Sequence, residues 1–309
     1  MQNSPAQLVL IAAVVMWPAA DAVAQGSTDS TPTATVDCSD RRGWVMPQRA
    51  FRIYGDTYYV GTRCISAILI TSSGGDVLID AGPPDASGIV LANIESLGLR
   101  LSDVTLLVNS HAHFDHAGGL AAIQRATGAV VAASPLSALV LEAGASGPND
   151  PQYGSVQGFP PVLHVRRLSD GEVVHIGQSA LTAHWTPGHT PGGTTWTWVA
   201  CENGVCRSIV YADSQTPVAA EGFRFTQNTR YPNALQDFEH GLNLIEHVPC
   251  DILLTPHPDA SRFWDRVAAR AHGQPAALVD GGACGRFVAA ARDQIAHRVA
   301  EERAAPGGQ

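Results

Sequence analysis

Beyond residue 50, apolar and polar positions change over in short runs. Residues 57–60, 66–71 and 76–80 read as strands, the third running into the turn Ala81-Gly82-Pro83-Pro84, and together they predict an antiparallel meander. Ile89, Leu91, Ile94 and Leu97 have helical spacing across 88–97, and the apolar run 104–108 reads as a buried strand leading into a histidine-rich segment. Helices are expected at 117–127 and 136–142, around a strand at 129–132. A loop rich in Gly and Pro spans about 143–162, and loops of that length in a compact domain are usually functional or mobile. The second half follows the same plan, with strands at 173–176, 181–185, 194–200 and 208–212, a helix at 233–247, a strand at 252–254 and a last helix at 286–298. Two meanders, each followed by helices, predict an α+β fold of two packed sheets covered by helices on their outer faces.

The chain before this pattern is of a different kind. An apolar stretch from Leu8 to Trp17, followed by small residues ending Ala22-Val23-Ala24, reads as a signal peptide over 1–24, although no Lys or Arg precedes Leu8. A polar segment follows over 25–44, and a single domain built of two ββα halves is expected over 45–309. No other apolar run approaches the ~20 residues of a membrane span, so no membrane association of the mature chain is expected. The net charge is -9, and the 19 basic residues are all arginines, scattered along the chain with none in a run longer than two, which argues against nucleic acid as a partner. The six cysteines suit an oxidising compartment and permit 15 full connectivities. Cys201 and Cys206 flank Asn203-Gly204 between two apolar runs, so they should face each other across a hairpin.

Candidate chemistry sits at three strand ends. His111, His113, Asp115 and His116 lie between the strand at 104–108 and the helix starting near 117, in a strand-to-helix loop. There, side chains at i and i+2 can converge on one ion while those at i+4 and i+5 turn to another, which a continuous helix would not allow. Imidazole and carboxylate together suit zinc. His189 stands in Pro187-Gly188-His189-Thr190-Pro191-Gly192-Gly193, and His257 in Thr255-Pro256-His257-Pro258 directly after a buried strand. Each of these two signals is weak alone; three such loops in one chain strengthen one another.

Through His-x-His-x-Asp-His, the later Pro-Gly-His-Thr-Pro-Gly-Gly and the last His after a strand, the chain resembles the metallo-β-lactamase superfamily over roughly 45–300. The resemblance implies a four-layer αββα sandwich and two Zn2+ per chain, the first held by His111, His113 and His189, the second by Asp115, His116 and His257. It makes Asp80 a residue bracing the metal loop. Ser214 stands where branches with a cysteine ligand would place it, and His113 departs from the glutamate of the diiron branch. The run Tyr211-Ala212-Asp213-Ser214-Gln215-Thr216, the signal peptide and the Cys250/Cys284 spacing look like the third subclass of class B β-lactamases. Its three-bridge members imply the pairs Cys201–Cys206, Cys250–Cys284 and Cys38–Cys64.

The implied activity is hydrolysis of the β-lactam amide of penicillins, cephalosporins and carbapenems, by hydroxide that zinc makes available near neutral pH. Asp115 would orient the attacking oxygen, Ser214 and Thr216 would receive the substrate carboxylate, and Gln152 would stand on the rim. Loop shape around Trp44, Gln152 and Phe223 to Phe225 would set substrate preference. A monomeric periplasmic enzyme acting on a small molecule follows. The alternative is a secreted zinc hydrolase of lactones or thioesters, which would gain if Asp213 bridged the metals, as an aspartate does in those relatives.

Overall fold

A computed structural model describes Met1 and residues 37–39 and 41–305. The expected signal peptide, apart from Met1, and the polar segment up to residue 36 lie outside the described residues. After a short helix α1 (Arg41–Trp44), the strands β1 (Phe51–Tyr54), β2 (Thr57–Tyr59), β3 (Ile68–Ile70) and β4 (Asp76–Ile79) form the antiparallel meander. Helix α2 (Ser87–Ser96) crosses to β5 (Val104–Val108), which is followed by α3 (Phe114–Ala117), α4 (Leu120–Thr127), β6 (Val130–Ala133), α5 (Pro135–Ala143) and β7 (Arg166–Arg167). From β4 to β7 the pairing is parallel, completing a seven-stranded sheet in the order β1 to β7.

The second sheet starts with the meander β8 (Val173–Ile176), β9 (Ser179–Trp185), β10 (Thr194–Glu202) and β11 (Val205–Tyr211). Helix α6 (Ala234–His247) leads to β12 (Ile252–Leu254), which pairs parallel to β11 at the sheet edge. Helices α7 (Phe263–Ala271) and α8 (Ala283–Ala304) complete the run.

Strand periodicity explains the layering. Ile68, Ile70, Val77, Ile79, Leu106 and Val108 point from the first sheet into a core shared with Leu181, Ala183, Trp196, Trp198, Ile209 and Tyr211 of the second. The alternate residues Leu69, Leu78, Leu107 and Val131 point outward against Val90 and Ile94 of α2 and Leu120 and Ile123 of α4. On the other side, Val210 and Leu253 meet Leu242 and Ile245 of α6 and Val288 and Ala291 of α8. Both faces of each sheet are therefore buried over these strands, which gives the αββα sandwich.

Most strands and helices stand within a few residues of expectation. Elements α1, β1, β7 and α7 were not anticipated; the first three are two to four residues long. Helix α7 gains its stability from tertiary burial, since Phe263 and Trp264 close the end of the inter-sheet core against Phe51 and Tyr59. The expected helix 117–127 divides at Gly118-Gly119 into α3 and α4. A side chain on Gly119 would fall on the carbonyl of Ala81, and the Ala81 N–H donates to His116 O at 2.9 Å, so the break presses the histidine-bearing turn onto the end of β4.

Disulfides join Cys38 to Cys64, Cys201 to Cys206 and Cys250 to Cys284, the expected pairs. Cys201 and Cys206 are direct cross-strand partners in the β10–β11 hairpin. No helix among the described residues is long and apolar enough to cross a membrane.

Candidate metal centre

The three histidine-bearing loops leave β5, β9 and β12 at their C-terminal ends and meet at one edge of the sandwich. His111, His113, His116 and His189 are buried there, and the His257 side chain is 37% exposed. One ligand atom from each of His111, His113 and His189 lies within 4.8 Å of the others, and the same holds for His111, Asp115 and His116. Closer still, His116 Nε2 and His257 Nε2 are 3.2 Å apart, and Asp115 Oδ2 stands 3.2 Å from the first and 3.3 Å from the second.

This second triangle fits zinc. Tetrahedral bonds of about 2.0–2.1 Å set neighbouring ligand atoms roughly 3.3 Å apart. In the first group, His111 Nε2 is buried with no hydrogen-bond partner, a costly state for a ring nitrogen that an ion would relieve. The residues present thus suit the metal that the donor set implies.

Outer contacts orient these rings. His111 Nδ1 meets Asp213 Oδ1 at 2.7 Å, His113 Nε2 meets Asp150 Oδ2 at 2.9 Å, and His189 Nδ1 meets the Thr216 carbonyl at 2.9 Å. With a proton on each of those nitrogens, the other nitrogen of the ring is left as a lone-pair donor, the arrangement typical of metal-ligating histidine. Burial and the neighbouring imidazoles hold His111 well below the usual histidine range and His189 down to about 3, so both rings are free bases at neutral pH. Burial alone would push Asp115 up, but His116 and His257 together hold it well below the usual carboxylate range.

Asp80 braces the assembly from beneath. It sits at a positive φ of 61° at the end of β4 and accepts hydrogen bonds from the Ser110 N–H, the Ser110 hydroxyl and the Tyr211 hydroxyl, each at 2.7 Å. That ties the residue before His111 to the end of β11. Gly193 allows the His189 loop to close: any side chain there would run into the Asp213 carboxylate.

The sequence profile described as Metallo-beta-lactamase superfamily matches residues 61–201. Among solved structures, MEM-A1, a subclass B3 metallo-β-lactamase from a soil metagenome library, is 44% identical with a TM-score of 0.83, over 84% of this chain and 99% of that one. The chain belongs to the metallo-β-lactamase superfamily. A second solved relative, the metallo-β-lactamase SMB-1 bound to 2-mercaptoethanesulfonate, is 42% identical over 84% of this chain and 99% of that one, with a TM-score of 0.81. A curated relative, the hydroxyacylglutathione hydrolase of Anaeromyxobacter dehalogenans, is 30% identical over 151 residues. The chain spans about half the length of that relative, 48%.

Within this superfamily the placement of Asp213 is informative. Its Oδ1 faces His111 Nδ1, on the far side of the ring from Nε2, so the carboxylate stands behind the ligand and outside both donor groups. Gln152 reaches the centre itself, its amide nitrogen 3.3 Å from His189 Nε2. Thr216 touches His189 with both its carbonyl and its hydroxyl, the latter 3.2 Å from Nδ1, while Ser214 is partly exposed beside Asp213. Trp44 leans towards His257 with ring centroids 6.4 Å apart, and Arg41 stacks over Phe114 at 4.5 Å while donating to Gln157 at 2.8 Å. Helix α1 and the 143–162 loop thus flank the same opening.

Sequence reasoning missed Asp150 and Arg41. Asp150 had a signal, since Asn149-Asp150-Pro151 is a turn-forming run in a loop singled out for its length, and the carboxylate also accepts the Gln152 N–H at 2.8 Å. Arg41 had none, because its partners Phe114 and Gln157 are distant in the chain.

Proposed function

We propose that this protein hydrolyses the amide bond of β-lactam antibiotics with two zinc ions per chain, His111, His113 and His189 holding one and Asp115, His116 and His257 the other. The observation that carries the reading is the pair of adjacent three-residue donor groups, one containing the 3.2–3.3 Å triangle, in a chain so similar throughout to subclass B3 enzymes. Zinc in such a site supplies Lewis acidity and brings the pKa of a water molecule towards neutrality.

The chain's own residues do the rest. Asp115, held as a carboxylate by His116 and His257, orients the attacking oxygen. The Gln152 amide, beside His189 Nε2, is placed to donate to substrate at the opening. Ser214 and Thr216 flank the side where the substrate carboxylate would bind, with Thr216 also fixing the His189 ring. Signal-peptide export to the periplasm suits three disulfides, which persist in oxidising compartments, and the enzyme acts as a monomer on a small molecule.

The similarity to hydroxyacylglutathione hydrolases supports a second reading, thioester hydrolysis. The position of Asp213 behind His111, not between the donor groups, weighs against it. Purified protein assayed with a carbapenem, a chromogenic cephalosporin and a glutathione thioester, each with and without a chelator, tests both. We expect β-lactam turnover that the chelator abolishes and added zinc restores; turnover of the thioester alone would overturn the proposal.

A further inference from the structure

His257 is oriented differently from most of its neighbours. His111, His113 and His189 are each held by a hydrogen bond to the ring nitrogen that faces away from the centre, and among the described residues His257 Nδ1 has no such partner. Its ring is also the most exposed of the five. The position of its Nε2 therefore depends on the backbone that carries it.

That backbone is clamped from two directions. From the first half of the chain, the buried Ser66 donates its hydroxyl to Thr255 O at 2.7 Å and its N–H to Pro256 O at 2.8 Å, engaging the two carbonyls that precede His257. From α7, the guanidinium of Arg266 donates through one nitrogen to Leu253 O at 2.8 Å and Ser261 O at 3.2 Å, joining the strand before His257 to the turn after it. Inside that span, the Thr255 hydroxyl donates to His257 O at 2.7 Å.

Arg266 is an expensive way to do this. It is only 9% exposed, its Nε has no partner, and its remaining contacts are the Leu278 carbonyl at 3.4 Å and the face of Phe263, with no carboxylate in ion-pair contact among the described residues. A buried guanidinium without a counter-charge is destabilising unless its donors are needed where they are. Here they meet two carbonyls that bracket His257, the most exposed of the five histidines.

We infer that Ser66 and Arg266 are positioning residues for His257, fixing the loop so that its Nε2 completes the triangle with Asp115 and His116. The inference rests on the dinuclear reading above. The two residues set the affinity of the second metal position and leave the first unaffected.

The test is a zinc titration of metal-free protein against a chromophoric chelator, which resolves two binding events in the unsubstituted chain. In Arg266→Met one event should weaken by about 10-fold or more, within the 10- to 100-fold usual for residues that orient metal ligands, while the other stays unchanged. Ser66→Ala, which removes a single hydroxyl and keeps the N–H contact, should weaken the same event by a smaller factor and carries the test if Arg266→Met does not fold. Arg270→Met is the control, because Arg270 lies on the same helix but donates to the carbonyls of Arg52 and Ile53.

Selective loss of one event in Arg266→Met and Ser66→Ala, with Arg270→Met unaffected, supports the assignment. Equal weakening of both events, the same loss in Arg270→Met, or no change overturns it. If the unsubstituted protein binds fewer than two zinc ions, the dinuclear reading falls and takes the inference with it; if it binds two and the variants match it, the inference alone falls.

Discussion

An imidazole has two nitrogens, and the chemistry proposed here needs one of them pointed at an ion. For His111 and His113 the other is engaged by a buried carboxylate, Asp213 and Asp150 respectively. Removing such a carboxylate leaves the ligand in place but frees its ring to rotate and to change tautomer. Asp213→Ala and Asp150→Ala should therefore lower zinc affinity by about 10- to 100-fold, measured by chelator competition, with the fold retained by circular dichroism. Substitution of His116 or His257 acts on the ligand itself. His116→Ala should reduce the bound zinc from two ions to one, read by metal analysis of the dialysed protein, and an unchanged stoichiometry would count against the assignment of the second site.

Among the elements, α8 does more than cover a sheet. Near its C-terminus Glu302 accepts hydrogen bonds from the N–H groups of Phe225 and Thr226, the Thr226 hydroxyl and Arg298, and so holds the loop that passes Phe223 and Phe225. Burial would raise its pKa, but these donors outweigh burial and hold it below the ordinary value of 4.5. A carboxyl depressed in the folded state contributes stability above its unfolded pKa and loses it as pH falls through the folded value. Unfolding midpoints of the unsubstituted chain and Glu302→Gln should thus differ at pH 7 and converge as the pH falls through the depressed value of this carboxyl. At its other end α8 is tied to the turn between α6 and β12 through Cys250–Cys284, a sequence separation of 34. Replacing both by serine should cost roughly 3 to 4 kcal/mol in denaturant unfolding on the chain-entropy account.

At the scale of the whole molecule, the centre joins the two ββα halves, since His111, His113, Asp115 and His116 come from the first and His189 and His257 from the second. Binding to the folded state alone stabilises by mass action, by about 2.7 kcal/mol per site at a hundredfold excess over Kd. Chelation should therefore lower the thermal midpoint as well as abolish turnover, and added zinc should restore both. Much of this was legible in sequence because it is local. A histidine in a Pro- and Gly-rich loop directly after an apolar strand is set by a few neighbouring residues, and the Cys201–Cys206 pair by the hairpin between them. The sandwich followed from strand runs apolar enough to be buried on both faces. What the sequence by itself determined is thus the set of histidine-bearing loops, the strands that end in them and the chemistry of their side chains. Only the tertiary structure decided which groups hold those side chains still. Asp150 is 37 residues from His113, Asp213 is 102 from His111, and Ser66 is 189 from the Thr255 carbonyl it engages. Hydrogen bonds over such separations arise from how sheets and helices stack, and no short window of the chain contains both partners.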